Sequence, residues 1–136
     1  WSSMDCSADT VLQKCNTTLP VTFLACNTAR DLLYIFFRSW FDEVFMYDAT
    51  TAQQLTSVTT DGVPCGGGWS PVLDRLYCLP PVDPERPGYS CCLLSAVDGA
   101  GDSIVGIVPL TVRAGKIALD TVHNRLYFSY GSTGCG

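Results

Sequence analysis

The chain has 136 residues, a net charge of −5, and a composition that is 47% hydrophobic but only 15% charged. That length suits one domain with a substantial core, and the β-branched and aromatic content favours strands over helices. The acidic balance excludes nucleic acid and anionic lipid as main partners, since both require a basic patch. No apolar run approaches the roughly 20 residues of a membrane-spanning helix, so no membrane insertion is expected.

One phrase is written three times: Asn27-Thr-Ala-Arg-Asp-Leu-Leu-Tyr34, Ser70-Pro-Val-Leu-Asp-Arg-Leu-Tyr77 and Asp120-Thr-Val-His-Asn-Arg-Leu-Tyr127. Its tyrosines recur at intervals of 43 and 50 residues, the signature of a repeat built from one supersecondary unit per copy. Aligning the copies predicts four strands per unit, A to D. Residues 10–14 come first, as a D strand with no A, B or C before it. The first whole unit has A at 23–26, B at 32–37, C at 44–48 and D at 54–59. The second has A at 66–69, B at 75–79, C at 93–98 and D at 103–108, with a stiff proline-rich loop at 80–88 between B and C. Residues 116–119 and 125–130 give A and B of a third unit that has no C or D. No segment reads as a helix. Asp31, Asp74 and Asn124 precede strand B and suit a tight A–B hairpin, because Asp and Asn tolerate left-handed backbone and bond the local chain.

Four antiparallel strands per 40 to 50 residues is about the size of a β-propeller blade. Residues 116–128, Lys-Ile-Ala-Leu-Asp-Thr-Val-His-Asn-Arg-Leu-Tyr-Phe, with 96–102 before them, resemble the YWTD blades of LDL-receptor class B proteins. Residues 42–51, Asp-Glu-Val-Phe-Met-Tyr-Asp-Ala-Thr-Thr, resemble YVTN and NHL blades. The third strand B departs from the pattern, with Leu-Tyr-Phe-Ser-Tyr in place of Leu-Tyr-Trp-Thr-Asp. The resemblance covers roughly residues 20–130. It implies an all-β fold of antiparallel four-stranded propeller-type blades, two complete and two half. The expected organisation is a single repeat domain or propeller fragment over 1–136, with blades at 20–60 and 63–110 and half blades at 6–15 and 112–136. Such a set does not close a ring. Either the chain is part of a longer one, as its start on Trp1 suggests, or neighbouring molecules finish its half blades, with the 10–14 strand of one copy completing the next. Head-to-tail contacts of that kind build open filaments when the rotation does not close.

The eight cysteines, Cys6, Cys15, Cys26, Cys65, Cys78, Cys91, Cys92 and Cys135, read as disulfides, hence an oxidising compartment. Cys6 with Cys15 is one plausible pair. Adjacent Cys91 and Cys92 point to opposite strand faces and suit two partners, of which Cys78 across the B–C hairpin is a candidate. Asn16-Thr17-Thr18 is an N-glycosylation sequon. Together these predict an extracellular or cell-surface protein that is disulfide-rich and carries a glycan.

Chemistry is hard to find. His123, the single histidine, falls in an A–B turn, and no Gly-x-Ser-x-Gly elbow exists; residues 88–92 lack the second glycine. Gly66-Gly-Gly68 lacks the Lys-Ser or Lys-Thr of a phosphate cradle and reads as close backbone approach by strand A. There is no C-x2-C pair for zinc. Asp98-Gly-Ala-Gly-Asp102 lacks most of a calcium loop's ligands and reads as a C–D turn. Asp42, Glu43, Asp83 and Glu85 read as solvated loop charges. No catalytic residue, metal or cofactor is therefore expected, and no enzyme. Trp40 and Phe41, after Arg38 in the B–C loop, are interface candidates: large aromatics at a loop tip fit a hot spot, while folding back between blades is the other reading. The expected function is a structural or assembly module whose blades pack with neighbouring blades or with copies of itself, as in an extracellular filament. A ligand-binding segment of a larger receptor-like propeller is the first alternative, and a propeller-based hydrolase or lyase the second.

Overall fold

The computed structural model describes residues 2–5, 10–14, 19–37, 42–60, 66–79, 93–100, 103–110 and 112–134. Among them are twelve strands and no helix: β1 (Ser2–Asp5), β2 (Thr10–Lys14), β3 (Val21–Asn27), β4 (Leu32–Phe37), β5 (Glu43–Asp48), β6 (Gln54–Thr59), β7 (Gly66–Ser70), β8 (Arg75–Leu79), β9 (Leu93–Asp98), β10 (Ile104–Pro109), β11 (Val112–Asp120) and β12 (Arg125–Gly134). They form two four-stranded sheets, β3-β4-β5-β6 and β7-β8-β9-β10, and two hairpins, β1-β2 and β11-β12. Every pairing is antiparallel between chain neighbours. The unit boundaries follow the repeat, with A to D realised as β3–β6 and again as β7–β10. One correction concerns the N-terminal half unit. It holds two strands rather than one, because Ser2–Asp5 pairs with Thr10–Lys14.

The register explains the tyrosine of the phrase. Tyr34 lies opposite Ala25, Tyr77 opposite Gly68, and Tyr127 opposite Ala118. Cross-strand partners share a face, so each ring has a small residue beside it and room to lie flat. Strand period two sends alternate residues to opposite faces. Tyr34 and Phe36 of β4 face the second sheet, whereas Leu33, Ile35 and Phe37 face away from it.

The inner strands β3, β7 and β11 lie side by side, so the units stack in chain order. Three apolar layers result. Between the first and second sheets sit Tyr34, Phe36, Val44, Met46, Leu76, Cys78 and Val97, with Phe23 and Trp69 packed against them. Between the second sheet and the C-terminal hairpin sit Leu79, Leu94 and Ala114, joined by Tyr77, Ile117, Leu126 and Phe128. The third layer is the far face of the first sheet. The glycines of β7 set the spacing of the first joint. A Cβ on Gly67 would stand 2.7 Å from the Tyr77 carbonyl and 3.1 Å from Phe36 Cζ, so the Phe36 ring occupies the space a side chain would need.

Candidate functional site

The three A–B turns are copies of one device. Asp31, Asp74 and Asn124 adopt φ of 53°, 49° and 51°, the left-handed conformation their short polar side chains tolerate. The polar residue that opens each phrase closes its turn. Asn27 Oδ1 accepts from the amides of Ala29 and Arg30 at 3.1 and 3.2 Å. Ser70 Oγ accepts from Leu73 N at 3.3 Å, and Asp120 Oδ1 from Val122 N and His123 N at 3.0 and 3.1 Å. The C–D turns use an aspartate likewise. Asp48 Oδ1 accepts from Thr50 N and Thr51 N, and Asp98 Oδ2 from Ala100 N. Hydrogen bonding holds the part-exposed Asp48 and Asp120 carboxyls below the usual carboxylate range; Thr51 is the main cause for Asp48, and the His123 side chain for Asp120.

Further side-chain bonds tie the units together on this face. Buried Asn27 donates through Nδ2 to Tyr34 OH and to the Gly99 carbonyl, each at 3.3 Å, and Tyr34 OH donates to the same carbonyl at 2.9 Å. Burial pushes the Tyr34 phenol above its ordinary value. Arg30 places Nε and Nη2 on Asp74 Oδ2 at 3.1 and 2.7 Å, bridging the first A–B turn to the second. The second turn reaches the third through Ser70 Oγ, which donates to Asn124 Oδ1 at 3.5 Å.

Along the chain, equivalent side chains differ in cover. Tyr34 is fully buried against the second sheet, its ring 6.0 Å from that of Trp69. Tyr77 is part-buried against the C-terminal hairpin. Tyr127 is 53% exposed, on a hairpin that bears a shallow depression of about 460 Å³ lined by Lys116, Ile117, Ala118, Tyr127, Phe128 and Ser129. Repeating sheets stacked in this order have known counterparts. The chain superposes with a TM-score of 0.67 on Kuenenia stuttgartiensis hydrazine synthase, at 16% identity over 89% of its own length and 32% of that chain. A mitotic checkpoint complex chain gives 0.68, at 17% identity over 93% and 38%. A gluconolactonase from Xanthomonas campestris gives 0.61, at 17% identity over 83% and 36%. The sheets are propeller blades. The chain spans about a third of the length of each of these β-propeller proteins. No family model and no curated protein sequence matches it.

The residues singled out in the sequence fall unevenly in this geometry. His123 is exposed, with Nδ1 2.8 Å from Asp120 Oδ2 inside its own turn. Glu43 Oε1 accepts from Ser57 Oγ on the neighbouring strand at 3.4 Å. Among the described residues no three His, Cys, Asp or Glu side chains gather as metal ligands. The Gly99 carbonyl is taken by Asn27 and Tyr34, which marks the C–D turn of the second blade as a strut. Trp40, Phe41, Asn16, Asp83, Glu85, Cys6, Cys15, Cys65, Cys91, Cys92 and Cys135 lie outside the described residues. The two described cysteines carry free thiols, exposed Cys26 and buried Cys78, and burial pushes the Cys78 thiol well up. The ladder sets Ser95, not a cysteine, opposite Cys78. The inter-blade strap of Asn27, Tyr34 and Gly99 escaped the sequence reading. Its one available signal was that asparagine opens only the first of the three phrases, where a longer amide replaces Ser70.

Proposed function

We propose that this chain is a non-enzymatic structural module whose blades pack with neighbouring blades or with copies of itself, outside the cell or on its surface. The observation that carries this reading is the graded burial of one repeated side chain, from Tyr34 to Tyr77 to Tyr127. A surface that is core at two successive joints recurs on the third unit, which supports a role in blade-to-blade contact. The residues that open each phrase cap turn backbone, and Arg30 with Asp74 bridges two blades, which supports a packing role for these turns. The extracellular assignment rests on the cysteine count and the Asn16 sequon. A mass increase on reduction and a mass loss on glycosidase treatment would support it; neither change would overturn it. Self-association is tested by light scattering and negative-stain microscopy of the purified chain, with multi-chain particles expected and a monodisperse monomer counting decisively against it. A second reading, favoured by the chain's span of about a third of its structural neighbours, is a ligand-binding segment of a larger propeller. It predicts that a chain extended by its flanking blades closes into a monomeric ring.

A further inference from the structure

The first joint demands glycine at residue 99, and that demand leaves the preceding bond open to attack. A side chain at this position would run into the Asp74 carboxylate and stand 2.7 Å from the Asp74 carbonyl. The residue in front is Asp98, so close approach of the blades comes with an Asp-Gly sequence. With no Cβ on the following residue, little shields the backbone nitrogen from the aspartate side chain, and the two can react. The corresponding turn of the first blade reads Asp48-Ala49. There a methyl group crowds the approach, and the Ala49 amide donates to the Asp31 carbonyl at 2.8 Å.

Three hydrogen bonds oppose that reaction in the folded chain. Asp98 Oδ2 accepts from Ala100 N at 3.0 Å, which draws the carboxyl toward residue 100. Gly99 is buried, and its carbonyl takes Tyr34 OH at 2.9 Å and Asn27 Nδ2 at 3.3 Å. Bringing Gly99 N onto Asp98 Cγ requires turning the backbone between them, which swings the glycine and breaks both strap bonds. The two sheets of this joint are each four-stranded within the described residues, so the strap does not depend on what adjoins the terminal hairpins.

We propose that Asp98-Gly99 is a covalent modification site, an aspartate-isomerisation switch that the strap keeps closed and that acts when the first two blades part. In the opened joint Gly99 N attacks Asp98 Cγ. A C–N bond forms, the carboxyl hydroxyl leaves with the amide proton as water, and a cyclic imide results. A water molecule then adds to the ring. Addition at Cγ restores aspartate, whereas addition at the α-carbonyl routes the backbone through Cγ and leaves the α-carboxylate free. Mass is conserved, and no oxidant or reductant takes part. The β-linked chain carries an added backbone methylene before Gly99, so the Gly99 carbonyl is displaced from Asn27 and Tyr34. The joint stays loose after it recloses.

Peptide mapping of the intact chain after prolonged incubation at neutral pH tests this. A β-linkage at residue 98 leaves the mass unchanged, shifts the peptide's elution and blocks a protease that cuts before aspartate. Asn27→Ser keeps a turn cap of the Ser70 kind and loses the amide bond to Gly99, while Tyr34→Phe keeps the ring and loses the hydroxyl. Each should speed conversion roughly fivefold, as expected when one buried hydrogen bond no longer opposes opening. Asp61-Gly62, outside the described residues, is mapped as an internal reference and should keep its rate. After equal ageing the urea midpoint of the parent should fall, and that of the double variant, with no strap left to lose, should fall much less. Conversion at residue 98 that is absent, or no faster in either variant, overturns the switch. So does a rise shared by Asp61, which would assign the effect to general unfolding. Equal falls in midpoint overturn the loosened joint.

Discussion

The two inter-blade joints use one turn and one strand pattern, yet they are fastened differently. The first carries aromatic bulk: Phe23 and Phe36 meet edge to face at 5.5 Å, and Tyr34 lies beside Trp69. It also carries a polar strap, Asn27 and Tyr34 on the Gly99 carbonyl and Arg30 on Asp74. The second joint is aliphatic over much of its area, centred on Leu79, Leu94 and Ala114, and among the described residues its turns are linked by a long bond from Ser70 to Asn124. The repeat thus fixes the hinge geometry and leaves joint strength to a few variable side chains. The strap also orients the blades, since a directional carbonyl bond constrains angle where apolar contact constrains only distance.

Breaking the first joint through its core should have the largest effect. Phe36→Ala is expected to cost about 4 kcal/mol, against about 3 kcal/mol for Leu79→Ala at the second joint, read as shifts in urea midpoint at constant slope. Next is the strap's acceptor. A Cβ at residue 99 would run into the Asp74 carboxylate and stand 2.7 Å from the Asp74 carbonyl, and Arg30 holds that carboxylate in place. Gly99→Ala should therefore cost about 2 kcal/mol, whereas Ala100→Gly beside it stays within a few tenths. The contrast between caps is finer. Asn27→Ala removes a turn cap and orphans part of a buried network, for about 2 kcal/mol, while Ser70→Ala loses a turn bond and one long contact, for about 1 kcal/mol. If the two cost the same, the strap adds nothing and the joints differ in apolar packing alone.

The smallest effect is in pH. Tyr34 has its phenol raised above 10.0 by burial, so the folded state holds that proton more tightly than the unfolded chain. The contribution is complete below the unfolded value and is lost as pH rises through the folded one. Tyr34→Phe should be less stable than the parent at pH 7, and the gap should narrow above about pH 10. A gap that stays constant from pH 8 to 11 would show that Tyr34 does not titrate as a buried group.

Local rules made much of the fold legible. Residues 32–37, 75–79 and 93–98 were bounded by turn chemistry on one side and apolar runs on the other, and they fold as β4, β8 and β9. The left-handed Asp31, Asp74 and Asn124 followed from residue type, as did the close approach at Gly67. What stayed hidden was either weakly patterned or non-local. Ser2–Asp5 has neither alternation nor a β-branched residue, so nothing marks it as a strand until its partner is in place. The Asn27–Gly99 bond spans 72 residues, and its acceptor is a backbone carbonyl that carries no sequence signature. Trp69 carries a cost that its sequence position does not announce. Its indole nitrogen is buried without a partner, a cost that its ring contact with Tyr34 offsets.

Cys78 gives the first joint a built-in clock. Its sulfur is buried at that joint with a strongly raised thiol, and it cannot react with an alkylating reagent until the blades part. Cys26, exposed on the opposite face, reacts at once and serves as the reference. With the remaining cysteines monitored by peptide mapping, the delay between the two modifications measures how often the first two blades separate under native conditions. The thiol that cross-strand geometry leaves without a cysteine opposite thus times the breathing of the joint it helps to fill.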